Sequence, residues 1–220
     1  MATPPATETD QGLLAAVYVD ESCLGNGRDG ANPGGAGGLV EYRHPRSGAL
    51  VRRDFWVSDP DTTNNRMALR SAIEAFRALA DSRLPLRVIF TSDSLYLIKG
   101  LGEWVHGWAA RNWTRPGRTG RGGAPIENLA LWRAAIAAIH ASGHEYAWQW
   151  VRGHHGHAQN EYANFLATRA AAELSASGGL VPSGFAAWFA AERSSGVTID
   201  PPAPFPDAAS FRAAKPLPAT

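Results

Sequence analysis

The chain has 220 residues, of which 45% are hydrophobic and 19% are charged, so it can form one globular domain with a substantial core. Its 21 Lys and Arg residues nearly balance 20 Asp and Glu residues, and the net charge is +1. Binding to nucleic acid would therefore depend on a local basic patch. The single Cys23 excludes an internal disulfide, and no apolar run reaches the roughly 20 residues that span a membrane. With no signal-peptide pattern, these features predict a cytoplasmic protein with no membrane contact, which we expect to be a monomer.

The hydrophobic pattern predicts an α/β domain at residues 13–175, after a polar segment 1–12 that we expect to be disordered. A glycine-rich loop, Gly25–Gly38, separates the first two strands. Three strands, a helix, a strand, helices, a strand and a last helix follow one another, an order that implies an antiparallel meander joined to parallel strands. The predicted strands are 14–20, 36–43, 49–57, 86–90 and 145–151, and the helices begin at about 64, 94, 128 and 159.

The composition changes after Ser175. Residues 176–220 are rich in Gly, Pro, Ser and Ala, which is typical of a tail. Within it, only 185–193 (FAAWFAAER) has the pattern of a short helix, and its aromatic residues offer a way to dock onto the domain.

Two aspartates stand at the ends of predicted strands. Asp20 ends the first strand and Asp93 follows the fourth. Either one alone is compatible with a simple strand terminator, since Asp favours turns. Carboxylates at the ends of neighbouring strands converge on one point, however, so the pair predicts a metal site.

Four segments in this order resemble type I ribonuclease H: VYVDESCLGN, TTNNRMALRSAIEA, TSDSLYLIKGLGEWVHGW and GHHGHAQNEYANFLA. The resemblance extends from about Leu14 to Leu174. It implies the ribonuclease H-like fold, with a five-stranded mixed sheet flanked by helices. It also implies metal-dependent cleavage of the RNA strand of an RNA–DNA hybrid, in which Mg²⁺ or Mn²⁺ is held by four carboxylates.

The same resemblance assigns the site residues. Asp20 and Asp93 match the first and third carboxylates, and His154 matches a histidine that assists proton transfer. The second carboxylate position is occupied by Ala68, which has no ligand atom. The fourth is Asn164, which keeps an oxygen for the metal but loses the charge.

This incomplete set predicts that one ion rather than two binds without substrate. It also predicts that cleavage is weak or lost, and that Glu at 68 with Asp at 164 would raise the rate. The alternative is a non-catalytic module that binds nucleic acid or protein. Glu21 could compensate for Ala68. Strand alternation directs Glu21 away from the face of Asp20, although a bulge could turn it inward.

The resemblance also assigns the contacts to the hybrid. Asn26 and Asn65 match positions that reach the minor groove, and Thr63 lies next to the phosphate-contacting edge, although Thr63 and Asn65 also suit a helix cap. The stretch 99–121 resembles a basic protrusion that grips the DNA strand, with aromatic residues between its cations. Its predicted contact residues are Lys99, Trp104, Trp108, Arg111 and Arg115, of which the two tryptophans also fit ordinary core packing.

Overall fold

The computed structural model describes residues 13–25, 32–82, 84–115, 123–153 and 155–220. The segment predicted to be disordered, 1–12, lies outside these residues. So do Asn26 and His154, together with part of the glycine-rich loop and of the basic protrusion.

The described residues form a mixed sheet in the order β5-β4-β1-β2-β3-β6. Strands β1, β2 and β3 pair antiparallel, whereas β4 and β5 continue the sheet parallel to β1. This confirms the predicted α/β architecture. The strands are β1 (Leu13–Cys23), β2 (Gly34–Arg43), β3 (Leu50–Asp59), β4 (Leu86–Ser92), β5 (Glu145–Trp150) and β6 (Val181–Pro182).

The sheet has six strands rather than the five predicted. The additional strand, β6, is only two residues long, so it carries no alternating pattern that a sequence reading could detect. It pairs with β3 through Arg53↔Pro182 and Asp54↔Val181. An edge position is where a sheet tolerates proline, because the missing N–H would otherwise leave a gap in the ladder.

Helices cover both faces of the sheet, and none among the described residues is long and apolar enough to cross a membrane. Thr63 caps α1 by accepting a hydrogen bond from the Arg66 N–H at 3.4 Å. A π-helical turn, Gly100–Trp104, joins α2 to α3. The helices are α1 (Asn64–Leu79), α2 (Leu95–Lys99), α3 (Val105–Ala109), α4 (Leu129–Ser142), α5 (Ala158–Glu173) and α6 (Phe185–Ser194).

The residues of β1 alternate between two cores. Val17 and Val19 belong to the larger core, which includes the buried stripe of α1. Tyr18, between them, belongs to a smaller core with residues of α5 and α6. Because side chains alternate along a strand, odd-numbered positions of β1 face α1 and even-numbered positions face α5.

Glycines on β2 allow α5 to lie directly on the sheet. A β-carbon on Gly35 would overlap the Ala167 carbonyl oxygen, and one on Gly37 would lie 2.6 Å from the Ala163 carbonyl oxygen. Larger residues would therefore push the helix outward. This close approach brings the first half of α5 to the end of β1, where Asp20 lies.

The C-terminal segment packs on the domain. Phe185 of α6, which is the helix predicted at 185–193, is buried with its ring 5.2 Å from that of Tyr162. The buried carboxylate of Asp54 accepts hydrogen bonds from the Tyr162 hydroxyl at 2.6 Å and from the Gly184 N–H at 2.9 Å. Near the other end of the segment, Leu217 lies in the larger core. The tail is thus a packed part of the structure.

Candidate active site

Three carboxylates converge at the end of β1. Asp20, Glu21 and Asp93 each offer a ligand atom, and these atoms lie within 4.8 Å of one another. Asp20 is buried, whereas Glu21 and Asp93 are half-buried. The two aspartates therefore meet as the sequence predicts, and Glu21 joins them.

Glu21 reaches the cluster from the α1 face of the sheet. It is an odd-numbered residue of β1, on the same face as Val17 and Val19, whereas Asp20 is on the α5 face. Ala68 also belongs to the core on the α1 face. A glutamate at 21 and a glutamate at 68 would thus both approach the aspartates from the same side.

Glu21 joins the cluster although alternation points it to the opposite face from Asp20, because the ladder between β1 and β4 ends at this point. Pairing of β1 with β4 stops at Val19↔Ser92, so no β4 residue pairs with Asp20 or Glu21. The ladder between β1 and β2 remains regular, with Glu21 opposite Ala36, so a bulge is not required. Beyond the last pair of the β1–β4 ladder, β4 no longer separates the two faces on that side of β1, and a flexible glutamate side chain can turn toward Asp93.

The electrostatics of the cluster favour a cation. Burial, followed by the charges of Asp93, Glu21 and Glu161, raises the pKa of Asp20, although a hydrogen bond from the Glu21 N–H opposes this shift. Burial and the Asp93 charge raise the pKa of Glu21 to about 8, and a side-chain hydrogen bond with Ser94 opposes this rise in part. Each charged group that raises these pKa values is a carboxylate, and a divalent cation would relieve the repulsion.

The raised pKa of Glu21 predicts a stability effect. The pKa of Glu21 is higher in the folded than in the unfolded chain, so its contribution to stability is fully present at pH values below the ordinary pKa of a glutamate. That contribution is lost as the pH rises through about 8. In EDTA at about pH 9, Glu21→Gln should therefore raise the melting temperature by a few degrees, since 1 kcal/mol corresponds to about 2–4 °C in a chain of this size. At about pH 4 the difference should nearly vanish. Calorimetry at both pH values measures it, and a variant that melts lower at high pH would contradict it.

Asp93 is held by residues that the sequence reading did not single out. The indole N–H of Trp150 donates to the Asp93 carbonyl oxygen at 3.0 Å. A β-carbon on Gly153 would overlap the Asp93 carboxylate. The available signal was their position at the end of β5 (Trp150) and just after it (Gly153), since β5 pairs with β4.

The two substituted positions have different surroundings. Ala68 is fully buried among apolar residues on α1 and offers no ligand atom. Asn164 is half-buried on α5 and lines a cleft together with Glu161 and Gly156. Of the two, only Asn164 has a side-chain oxygen for a metal.

Comparison with known proteins shows the family of this chain. The RNase H family model matches residues 14–172. Ribonuclease H of Pseudomonas aeruginosa (strain LESB58) is 42% identical over 159 residues, covering 72% of this chain and 93% of the relative. Ribonuclease H of Stutzerimonas stutzeri (strain A1501) is 39% identical over 153 residues, covering 70% and 88%. This chain belongs to the ribonuclease H family. The crystal structure of LC9-RNase H1 is 56% identical and superimposes with a TM-score of 0.81 over 94% of each chain.

In this ribonuclease H, the predicted substrate-contacting residues lie mostly at the surface. Thr63 and Asn65 are exposed at the start of α1, and Lys99 is exposed at the end of α2. Arg111 and Arg115 are exposed, and the Arg115 guanidinium donates to the Pro125 carbonyl oxygen at 3.1 and 3.2 Å.

The two tryptophans of the protrusion differ. Trp108 is only 9% exposed and packs on Trp132, with ring centroids 5.4 Å apart. Trp104 is 36% exposed. Core packing therefore accounts for Trp108, and Trp104 has the larger surface available to a ligand.

Proposed function

We propose that this ribonuclease H cleaves the RNA strand of RNA–DNA hybrids with Mg²⁺ or Mn²⁺, and that Glu21 serves as the second carboxylate in place of a residue at 68. The observation that carries the proposal is the convergence of Asp20, Glu21 and Asp93 within 4.8 Å. Cleavage was expected to be weak or lost because only two carboxylates could be counted. With a third present, that reason for a non-catalytic module no longer holds.

The donor set fits a hard divalent cation. Mg²⁺ and Mn²⁺ prefer oxygen ligands, and among the described residues the cluster consists of three carboxylates, without sulfur or imidazole. Three negative charges more than balance one divalent ion, but they fall short of the four positive charges on two. We therefore expect one ion in the free protein, with Asn164 contributing an uncharged oxygen. A second ion would need the charge of the substrate phosphate.

The residues around the cluster hold it in a fixed arrangement. The Glu21 N–H donates to Asp20 Oδ1 at 2.7 Å and so orients that carboxylate. Trp150 fixes the backbone of Asp93, and Gly153 leaves space for its carboxylate. When bound there, a divalent cation supplies Lewis-acid stabilisation of charge that develops on the phosphodiester. Asp20, Glu21 and Asp93 would bind the cation, and His154 would assist proton transfer during cleavage.

A solved relative supports a rearranged carboxylate set. LC9-RNase H1, with which this chain shares 56% identity, is a type 1 RNase H with the type 2 active-site motif. The fold of this family is therefore compatible with an active-site motif other than that of type 1.

A cleavage assay tests the proposed function. The full chain would be incubated with a hybrid carrying a label on either the RNA or the DNA strand, beside RNA and DNA duplexes of the same sequence. We expect cleavage of the RNA strand of the hybrid alone, and its loss in EDTA. Hybrid binding without cleavage in either Mg²⁺ or Mn²⁺ would instead support a non-catalytic module.

The basic protrusion predicts salt-dependent binding. Replacing Arg111 and Arg115 by Ala should lower the slope of log affinity against log salt by roughly one to two units, because each lost phosphate contact removes about 0.9. Fluorescence anisotropy with labelled hybrid measures the slope. The matched control replaces Arg46 and Arg212, which are also exposed but lie toward the opposite end of the sheet. An equal decrease in the control would mean that net charge, rather than this surface, determines binding.

A further inference from the structure

The loop 153–157 leads from the carboxylate cluster of Asp20, Glu21 and Asp93 to α5. Gly153 packs on the Asp93 carboxylate at one end. At the other end His157 caps α5, and its ring lies 5.6 Å from that of Tyr18. His154, the residue matched to the family's histidine, belongs to this loop. The loop therefore begins directly beside Asp93.

The C-terminal tail bonds to this loop. The Asp200 N–H donates to the Gly156 carbonyl oxygen at 2.9 Å. Gly156 has a φ of +82°, in the region that favours glycine, and its N–H donates to Glu161 Oε1 at 3.4 Å. Gly156 is thus held by α5 on one side and by the tail on the other.

Gln159 attaches the tail next to the loop. Its side chain is fully buried, and its amide donates to the Ala203 carbonyl oxygen at 2.9 Å and accepts from the Ala203 N–H at 3.0 Å. A buried amide is costly unless it is hydrogen-bonded, and here both of its polar ends bond to one residue of the tail. Ala203 of the tail is thus held at Gln159 of α5, two residues after the end of the loop.

The tail also forms a wall of the cleft beside Asn164. Glu161 and Asn164 of α5 line one side, and Thr198 and Ile199 of the tail contribute to the other. The RNase H family model ends at residue 172, so these tail residues lie outside the part that the model covers. The contacts of the tail with the loop and α5 are therefore an addition to that part of the fold.

We propose that residues 197–203, which we call the strap, position residues 155–157 of this loop for cleavage, and that Gln159 is the positioning residue that holds the strap. The effect on rate rests on the proposed function, whereas the effect on the loop does not. The strap should act on the turnover of bound hybrid, because it bonds to Gly156 in the loop that begins beside Asp93.

Four variants of the full chain test this role. Gln159→Met keeps a similar side-chain volume and removes both hydrogen bonds to Ala203, and Asp200→Pro removes the N–H that bonds to Gly156. Asp200→Asn retains that N–H and is the matched control. Leu217→Ala removes a buried contact at the far end of the tail and controls for stability.

We expect Gln159→Met and Asp200→Pro to lower kcat on the hybrid by about 10-fold while KM changes by less than about twofold, since a misplacement of about 1 Å can cost up to about 100-fold. Hydrogen exchange at residues 155–157 should accelerate in the same two variants. Asp200→Asn should retain kcat, and Leu217→Ala should melt at a lower temperature with kcat unchanged at a temperature where it remains folded.

Two results would overturn the proposal. If Leu217→Ala lowers kcat as much as Gln159→Met, the tail acts only through global stability. If Gln159→Met and Asp200→Pro leave both kcat and the exchange of the loop unchanged, the strap does not position it. Should the unmodified chain fail to cleave any hybrid, the proposed function fails, and the exchange measurement alone then decides whether the strap holds the loop.

Discussion

Glu21→Gln should lower the rate of hybrid cleavage in Mg²⁺ by at least about 100-fold. Even a residue that only supports a metal ligand typically contributes about 10- to 100-fold, and Glu21 is placed to be a ligand itself, with its carboxylate in the cluster with Asp20 and Asp93. The amide keeps the size of the side chain and removes one negative charge. Single-turnover cleavage with saturating enzyme measures the loss independently of hybrid affinity.

The control and the rescue make this prediction specific. Glu145→Gln, an exposed position at the start of β5, should cleave normally. Because positions 21 and 68 both face α1, Glu21→Gln combined with Ala68→Glu should recover part of the lost rate. If Glu21→Gln cleaves as fast as the unmodified chain, Glu21 is not the second carboxylate, and the site works with Asp20 and Asp93 alone.

Ala68→Glu in the otherwise unchanged chain should destabilise the protein by about 3–5 kcal/mol, the usual cost of an uncompensated buried charge. Ala68 is fully buried in the larger core, and Glu21 already brings a negative charge from that face. In a chain of this size the change corresponds to a decrease in melting temperature of roughly 6–20 °C. It differs from the prediction made from the sequence, in which Glu at 68 together with Asp at 164 raises the rate of cleavage.

Thermal unfolding in EDTA at about pH 8 measures this effect. Ala68→Gln has nearly the same size without the charge, so the difference between the two variants isolates the electrostatic part. Adding Mg²⁺ should restore more stability to Ala68→Glu than to Ala68→Gln. A melting temperature equal to that of the unmodified chain would show that the site has room for a fourth carboxylate beside Glu21.

The tail shows where local patterns lose their predictive value. The helix in FAAWFAAER could be predicted because its apolar residues recur at helical spacing, and it is α6 in the structure. The strand β6 and the bonds of Gln159 to Ala203 could not be predicted, because each joins residues distant in the sequence through backbone groups that every residue type carries. The sequence therefore indicated a tail whose aromatic residues could dock, whereas the structure also anchors it through β6, Gln159 and Leu217.

For the carboxylate cluster, the sequence by itself determined that the two aspartates belong to it. Each stands where a buried apolar strand ends, and the predicted parallel arrangement of the first and fourth strands places both ends at the same edge of the sheet. The role of Glu21 depended on where the ladder between β1 and β4 stops relative to it. That register is set by the packing of whole strands, and a shift of one residue would change which side chains reach the open edge. Only the tertiary structure could decide that Glu21 lies beyond the last pair of β1 with β4. There, Asp20 and Glu21 reach the same cluster from opposite faces of β1.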